Sequence, residues 1–268
     1  MGDASTLDRR RVGNICFTVE TLAEAIEDVL SLAAEVGAEA GPDARGRAVH
    51  FANAYNVALA RADAGYARLL QAGDRVFSDG VPITWVGARA YPDLAERWQR
   101  VYGPDVMQGV FAESDSPGPR HYLLGGSPET LDALVAHMAA TYPEAQVVGA
   151  ESPPFEVPSA AELAQRDERI RASGATIVWV GLGTPKQDVE VRRLADGLPV
   201  VAMAVGAAFD FLAGTKPQAP EWMQRNGVEW AFRLASEPRR LGRRYVWGNT
   251  VFLEEAARTL VSARQRRD

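Results

Sequence analysis

Short apolar runs alternate with segments of helical spacing along most of the chain, and this alternation constrains the fold more than any other feature. Six strand-like runs are each followed by a turn or loop and then by a helical pattern; they end at Ala52, Ser78, Leu124, Gly149, Val180 and Val205. Such alternation favours a parallel sheet covered by helices on both faces. We therefore predict an α/β fold with a doubly wound, Rossmann-like, mostly parallel sheet, whose first strand is Val12–Val19.

The alternation stops after Pro217 and Pro220, and the remaining residues have helical spacing with no further strand. We predict an α/β domain over residues 1–220 and a helical, arginine-rich appendage over 221–268. From Arg233 onward nine arginines face four acidic residues, a charge of +5, which leaves −11 for residues 1–232 of a chain with net charge −6. A basic tail on an acidic body suggests an anionic partner at one end, and a solvated helical face is the alternative.

Composition limits the classes of protein to consider. At 268 residues and 47% hydrophobic content, the chain can bury a full core. No apolar run reaches the roughly 18 residues of a membrane span, and Met1–Ser5 do not resemble the start of a signal peptide, so we expect a cytosolic protein. The single cysteine, Cys16, and three histidines show no metal-ligand spacing. We therefore expect no structural zinc, and we expect no cofactor.

Two polar residues stand where predicted strands end. Asp79 follows the run Val76–Ser78 and precedes Gly80, and Asn53 follows Ala52. Ligands of open α/β sheets bind beyond the carboxyl ends of the strands, so both residues are candidates for a pocket, with Asp79 as the chemical group. The alternative is that each only caps a helix or forms an Asx-turn.

Glycine turns follow three other predicted strands. They contain Gly125 and Gly126, then Gly181 and Gly183, and finally Gly206. Backbone N–H groups at such turns can receive a phosphate. The dinucleotide fingerprint G-x-G-x-x-G is absent, because its third glycine would fall on Lys186, which weakens an oxidoreductase interpretation. Neither a P-loop nor a G-x-S-x-G elbow occurs. A phosphorylated small molecule at the sheet edge is favoured.

Six blocks in order make the chain resemble the WecG/TagA/CpsF family of bacterial glycosyltransferases from about Val12 to Phe252. The blocks are Ser78-Asp79-Gly80, Arg100-Val101-Tyr102-Gly103-Pro104-Asp105, Leu123-Leu124-Gly125-Gly126, Gly181-Leu182-Gly183-Thr184-Pro185-Lys186-Gln187, Val205-Gly206-Ala207-Ala208-Phe209-Asp210, and the stretch from Glu229 to Arg240. The resemblance implies metal-independent, inverting transfer of a sugar from a nucleotide-sugar donor to a polyprenyl diphosphate-linked acceptor. N-acetylmannosamine or its uronate, carried on UDP, is the sugar most favoured.

The resemblance also implies roles for individual residues. Asp79 would be the general base, with Asn53 beside it, and Arg233, Arg240 and Arg243 would close over the pocket. The donor would be bound by the glycine turns and their neighbours: Gly125, Gly126, Gly181, Gly183, Lys186, Gln187, Gly206 and Asp210. The appendage would touch the inner face of the plasma membrane, making the protein cytoplasmic and peripheral. No nucleic-acid partner is expected, and Val246–Leu253 could serve a membrane surface or a contact in a homo-oligomer.

Several alternatives remain open from the sequence. Phe51, Pro82, Asp188 and Gln218 depart from the usual family pattern, which leaves the sugar open: UDP-glucose, a UDP-uronic acid or GDP-mannose are alternative donors. A nucleotide-sugar-binding module without turnover would share the glycine turns. Arg233 could instead form a structural ion pair with Glu229 or Glu237. His50 and His121, at strand positions, are interpreted as core residues rather than as acid–base groups.

Overall fold

A computed structural model describes residues 7–38, 44–115, 117–154 and 156–266, and it describes no side chain for Arg240. Met1–Ser5, on which the cytosolic expectation partly rests, lie outside these residues. The described chain forms eight strands and twelve α-helices, with a 3-10 turn at Pro92–Leu94.

Six of the strands form one sheet. The strands are β1 (Arg9–Val12), β2 (Ile15–Thr18), β3 (Arg47–Ala52), β4 (Arg75–Ser78), β5 (Arg120–Gly125), β6 (Gln146–Glu151), β7 (Ile177–Gly181) and β8 (Val201–Ala204). The large sheet has the order β4-β3-β8-β7-β5-β6, and its pairs from β3 to β6 are parallel. The predicted doubly wound, mostly parallel α/β fold is confirmed.

The predicted first strand is wrong. Val12–Val19 does not run as one strand, because the chain reverses at Gly13-Asn14 and forms the antiparallel hairpin β1–β2, a separate two-stranded sheet. Gly13 has a φ of +58°. A positive φ at the first central residue is what a type II′ hairpin turn requires, and glycine adopts it without strain. Gly13-Asn14 was a turn signal in the sequence, but the apolar residues of Val12–Val19 led to the prediction of a single strand.

Helices connect the strands and fill the end of the chain. They are α1 (Leu22–Ala38), α2 (Ala54–Ala62), α3 (Ala64–Gln71), α4 (Val81–Ala90), α5 (Gly103–Ala112), α6 (Pro128–Thr141), α7 (Ala160–Ser173), α8 (Lys186–Gly197), α9 (Ala208–Leu212), α10 (Glu221–Arg225), α11 (Glu229–Ser236) and α12 (Pro238–Gln265). Side chains cap several of them, as at Asn53, Asp63, Ser127 and Ser159. Each cap accepts a backbone N–H that the first helical turn leaves unpaired.

The chain divides into two compact units. The first unit comprises residues up to Ala23, Phe51–Tyr102 and Ala219 onward. Its core packs Val12, Ile15 and Phe17 of the hairpin with residues of α2, α3 and α4, and with Phe252 and Ala256 of α12. The second unit comprises Glu24–His50 and Gly103–Gln218, and its core packs β5, β7 and β8 with Val191, Leu194 and Ala195 of α8.

The described residues from Glu221 onward form only helices and short connections, as predicted, and α10 begins at the predicted boundary. These helices belong to the same compact unit as the hairpin and residues 51–102. The division into domains 1–220 and 221–268 stays a prediction. Within the described ranges, every helix is too short or too polar to span a bilayer.

Candidate active site

Asp79 and Asn53 lie side by side at the carboxyl ends of β4 and β3. The Asp79 backbone N–H donates to the Ala52 carbonyl over 3.0 Å, and Asn53 Nδ2 donates to Asp79 Oδ2 over 3.4 Å. Both side chains are partly exposed. Gly80 has an extended backbone, with φ −117°, which any residue can adopt. The absence of a side chain at Gly80 lets it pack closely on Asn53, because a Cβ there would lie 3.3 Å from the Cβ of Asn53. The two predicted site residues are therefore neighbours.

Asn53 is also the N-cap of α2, as the sequence alternative proposed. Its Oδ1 accepts from the Tyr55 N–H over 3.0 Å, and its own N–H donates to Asn56 Oδ1 over 3.1 Å. The amide oxygen is therefore used by the cap, and the amide nitrogen faces the carboxylate. The capping role and the pocket role coexist in one side chain.

Arg100 holds the backbone of the Asp79 turn. Its Nε donates to the Asp79 carbonyl over 3.0 Å, and its guanidinium lies 3.6 Å from the centre of the Tyr102 ring. Its two other nitrogens donate to Glu229 Oε2 over 2.5 Å and to Gln224 Oε1 over 3.3 Å. Arg100 lies in one of the six family blocks, but no role was predicted for it. Arg97 and Gln99 beside it are also polar, so the local sequence does not single out Arg100.

Glu229 joins two arginines. Its Oε1 lies 3.1 Å from Arg233 Nε and accepts from the Tyr102 hydroxyl over 3.2 Å. Burial first, and then the Glu229 carboxylate, raise the pKa of Tyr102 well above its usual range, so that the phenol remains a donor. The ion pair of Arg233 with Glu229, one of the sequence alternatives, is confirmed.

Arg233 lies within electrostatic range of Asp79. Burial disfavours the charge of Arg233, but its neighbours outweigh that cost and raise the pKa of Arg233. These neighbours are the phenols of Tyr102 and Tyr245 and the carboxylates of Glu229 and Asp79. A cation close to a carboxylate in turn favours the ionised form of the acid. Arg233 therefore belongs to the surroundings of Asp79 and is also an ion-pair partner of Glu229.

Arg243 lies further along, on α12, in an open groove of about 500 Å³. The groove is lined by Tyr55, Arg239, Arg243, Arg244 and Trp247. The Arg244 guanidinium stacks 3.8 Å from the centre of the Tyr55 ring, and Trp247 meets that ring edge-on at 6.1 Å. Arg240 belongs to the same helix, and its side chain is outside the described part of the structure.

In the second unit, the predicted glycine turns contact one another. The Gly126 N–H donates to the Gly181 carbonyl over 3.3 Å, and a Cβ on Gly125 would lie 2.5 Å from that same oxygen. Gly125 has a φ of +133°. A side chain at Gly125 is therefore excluded twice, by backbone conformation and by the close approach of the turn after β7.

Gln187 ties the next two turns together. Its Oε1 accepts from the Gly183 N–H and its Nε2 donates to the Ala204 carbonyl, each over 3.0 Å. Gly206, with φ +59°, packs directly on this amide. The predicted donor residue Gln187 is buried and bonded to backbone, so in the structure it shapes the two loops.

The remaining two predicted donor residues are more accessible. Lys186 is the exposed first residue of α8. Asp210, on α9, is partly exposed and forms an ion pair with Lys216 Nζ over 2.7 Å.

The two strand histidines are core residues, as predicted. His50 Nδ1 lies 3.0 Å from Asp188 Oδ1, with both side chains buried. His121 contacts Ser114 Oγ over 3.1 Å and accepts from Trp179 Nε1 over 3.2 Å. Burial lowers the pKa of His121 to about 3, so it is neutral at physiological pH.

Comparison with known protein families agrees with these features. The model of the family described as "Glycosyl transferase WecG/TagA/CpsF family" matches residues 10–266, nearly the whole chain. The chain belongs to the WecG/TagA/CpsF family. It is therefore a glycosyltransferase of cell-surface polysaccharide synthesis. The resemblance drawn from the six sequence blocks is confirmed, and a binding module without turnover and an oxidoreductase are both disfavoured.

The site of this WecG/TagA/CpsF glycosyltransferase offers a limited set of chemical groups. In the first unit they are one carboxylate at a strand end, an amide beside it, and guanidinium groups nearby. Among the residues that the structure describes, no group of three or more His, Cys, Asp or Glu side chains could hold a metal ion. Proton transfer at Asp79 is the chemistry that these groups most directly permit.

Proposed function

We propose that this chain transfers a sugar, with inversion and without a metal ion, from a nucleotide diphosphate donor to a polyprenyl diphosphate-linked sugar. Asp79 is the general base. The observation that carries this assignment is the position of Asp79: a partly exposed carboxylate at a strand end, bonded to Asn53 and electrostatically coupled to Arg233. The family match supports the reaction class.

The reaction needs one proton transfer and one displacement. An Asp79 oxygen takes the proton of the acceptor hydroxyl while the oxygen of that hydroxyl attacks the anomeric carbon of the donor sugar. The bond from that carbon to the diphosphate oxygen breaks, and the nucleotide diphosphate leaves with the electron pair. Attack from the face opposite to the leaving group inverts the anomeric centre. A positioned base of this kind typically contributes about 10²- to 10⁴-fold to the rate.

The leaving diphosphate gains negative charge, which arginines stabilise by charge-assisted hydrogen bonds. We assign this role to Arg233, Arg240 and Arg243. Donor binding is assigned to the glycine turns at Gly125, Gly126, Gly181, Gly183 and Gly206, with Lys186 and Asp210 beside them. Gln187 contributes by holding two of these turns in shape.

We infer that the donor is a UDP-linked N-acetylmannosamine or its uronate. UDP-glucose, UDP-glucuronate and GDP-mannose are the competing donors, and the departures at Phe51, Pro82, Asp188 and Gln218 bear on this choice. An enzyme that acts on a lipid-linked acceptor must reach the membrane. We therefore propose that this enzyme acts at the inner face of the plasma membrane, with α12 against the lipid. The exposed apolar residues Val246 and Leu253 of α12 support this placement.

The base assignment is tested by Asp79→Asn and Asp79→Ala. Each should reduce turnover by at least about a hundredfold, because no other group takes the proton, while the donor dissociation constant stays within about threefold of the wild type. Transfer to a synthetic polyprenyl diphosphate-sugar and calorimetric donor titration measure the two quantities. Asp93→Asn, an exposed carboxylate of the same unit, is the matched control. Near-normal turnover by Asp79→Asn would remove the assignment.

The donor and the metal question are tested in the same assay. Candidate nucleotide sugars are each supplied with and without EDTA. We expect one UDP-sugar to be preferred and its transfer to be unchanged by the chelator. Abolition of transfer by EDTA, with restoration by an added divalent cation, would contradict the metal-independent mechanism.

A further inference from the structure

The Glu229 carboxylate contacts three side chains that surround the Asp79 turn. Its Oε2 accepts from Arg100 Nη2 over 2.5 Å, and its Oε1 meets Arg233 Nε at 3.1 Å and the Tyr102 hydroxyl at 3.2 Å. The Glu229 side chain is only 15% exposed. A carboxylate with both oxygens engaged and little solvent contact is fixed in orientation, and it fixes its partners in return.

Arg100 carries this constraint to the proposed base. The same guanidinium that binds Glu229 donates from Nε to the Asp79 carbonyl over 3.0 Å. Its plane is held against the Tyr102 ring at 3.6 Å, so the two hydrogen bonds cannot reorient independently. Helix α11 is thereby connected, through a single side chain, to the backbone that aims the Asp79 carboxylate.

The charges of the group balance. Arg100 and Arg233 contribute two positive charges, and Glu229 and Asp79 contribute two negative ones. The groups facing Asp79 from the neighbouring elements are Asn53, the Arg233 cation, the neutral Tyr102 phenol and the Arg100 guanidinium. Without the Glu229 charge, two cations would face one carboxylate, which favours ionisation of that carboxylate.

We propose that Glu229 is a positioning residue for catalysis: through Arg100 it aims the Asp79 turn, and through its ion pair it sets the orientation and the effective charge of Arg233. This inference rests on the proposed role of Asp79 as base. Glu229 need not touch the substrate, and its effect reaches the reaction only through these two arginines.

The test uses Glu229→Gln in the full-length chain, with Glu221→Gln as the matched control. Glu221 lies on the neighbouring helix α10, exposed, and pairs locally with Arg225. We expect Glu229→Gln to lower kcat by about ten- to hundredfold, the scale of a misplaced catalytic group, with a smaller change in donor KM. The acid limb of the kcat profile should move to lower pH, because the uncompensated arginines lower the pKa of Asp79. Glu221→Gln should change neither.

Arg100→Lys separates positioning from charge. Lysine keeps the positive charge but lacks the planar fork that bonds Asp79 and Glu229 together. We expect a similar fall in kcat with the acid limb near its wild-type position. Should Glu229→Gln fail to fold, Arg100→Lys decides the question alone, and a normal kcat in that variant overturns the proposal.

Hydrogen exchange supplies a readout that does not depend on turnover. In Glu229→Gln, the amides of residues 79–84 (other than Pro82) and of residues 229–236 should exchange faster than in the Glu221→Gln control. Unchanged kcat and unchanged acid limb in Glu229→Gln overturn the proposal, as does a loss of activity that only follows a lowered Tm. Full activity of Asp79→Asn would instead defeat the proposed base, whereas the exchange result would still report on the connection from Glu229 to the Asp79 turn.

Discussion

Asn53 shows how one side chain serves both folding and chemistry. Its oxygen caps α2 and its nitrogen faces Asp79 Oδ2 at 3.4 Å. An N-cap is worth about 1 kcal/mol, so loss of the whole side chain would mix a stability effect with a catalytic one. Substitutions that keep a capping oxygen and replace only the amide nitrogen that faces Asp79 separate the stability effect from the catalytic effect.

Asn53→Asp is predicted to raise the pKa of Asp79. Aspartate preserves the cap but sets a second carboxylate beside the first, and a like charge disfavours ionisation. The acid limb of kcat/KM should therefore move to higher pH, opposite in sign to the shift expected for Glu229→Gln. The control is Asn53→Ser, which keeps a capping oxygen without the charge. A profile of Asn53→Asp identical to that of Asn53→Ser would show that the two side chains are not coupled.

The strand-end residues could be found from sequence, whereas Arg100 could not. Asp79 and Asn53 stand directly after apolar runs, and the carboxyl ends of strands are a general location for sites. Arg100 acquires its role from partners 124 and 129 residues away, Gln224 and Glu229. No local pattern predicts such a pairing. The Arg233–Glu229 ion pair was accessible because its members are four residues apart on one helix.

Among the elements, α8 has a second function at its first turn. Gln187 bonds the Gly183 N–H and the Ala204 carbonyl, so the turns after β7 and β8 depend on one buried amide. The next residue, Asp188, contacts His50 of β3. The start of this helix therefore joins three strands of the sheet at their carboxyl ends.

Gln187→Leu should weaken donor binding more than it slows turnover. Leucine removes the hydrogen bonds to the accessible Gly183 N–H and to the buried Ala204 carbonyl. The loss at the buried carbonyl costs about 1–3 kcal/mol, and the turns proposed to bind the donor are loosened. We expect a lowered Tm and a donor dissociation constant raised by about tenfold or more, measured by calorimetry. Gln71→Leu, an exposed glutamine bonded to the Asn14 carbonyl, is the control. An unchanged dissociation constant would show that these turns do not bind the donor.

Elements were predicted well where periodicity was strong and less well where a turn was short. The helices from Glu221 onward were expected, and so was their packing on the rest of the chain, but not the partner: Phe252 and Ala256 lie in the same core as Val12 and Ile15 of the hairpin. Hairpin and helix are separated by most of the chain, and helical periodicity reveals an apolar face without revealing what covers it. The hairpin itself was missed because only two residues, Gly13 and Asn14, form its turn within a mostly apolar run.

At the scale of the whole molecule, charge is distributed unevenly, with +5 from Arg233 onward and −11 before it. On α12 the exposed arginines Arg239 and Arg243 stand near exposed Val246 and Trp247. Basic residues with apolar neighbours suit an anionic lipid surface. An acidic body would be repelled from the same surface, which favours contact through the C-terminal helix alone.

This arrangement predicts salt-sensitive binding to vesicles that contain anionic lipid. Each arginine near such a surface contributes about 1 kcal/mol, so the double variant Arg239→Gln/Arg243→Gln should bind roughly thirtyfold more weakly in cosedimentation. Arg264→Gln/Arg266→Gln removes the same charge from the far end of α12 and should bind nearly normally. Equal losses in both pairs would indicate attraction by net charge alone. Binding that is unaffected by salt or by either pair would place the lipid contact elsewhere on the molecule.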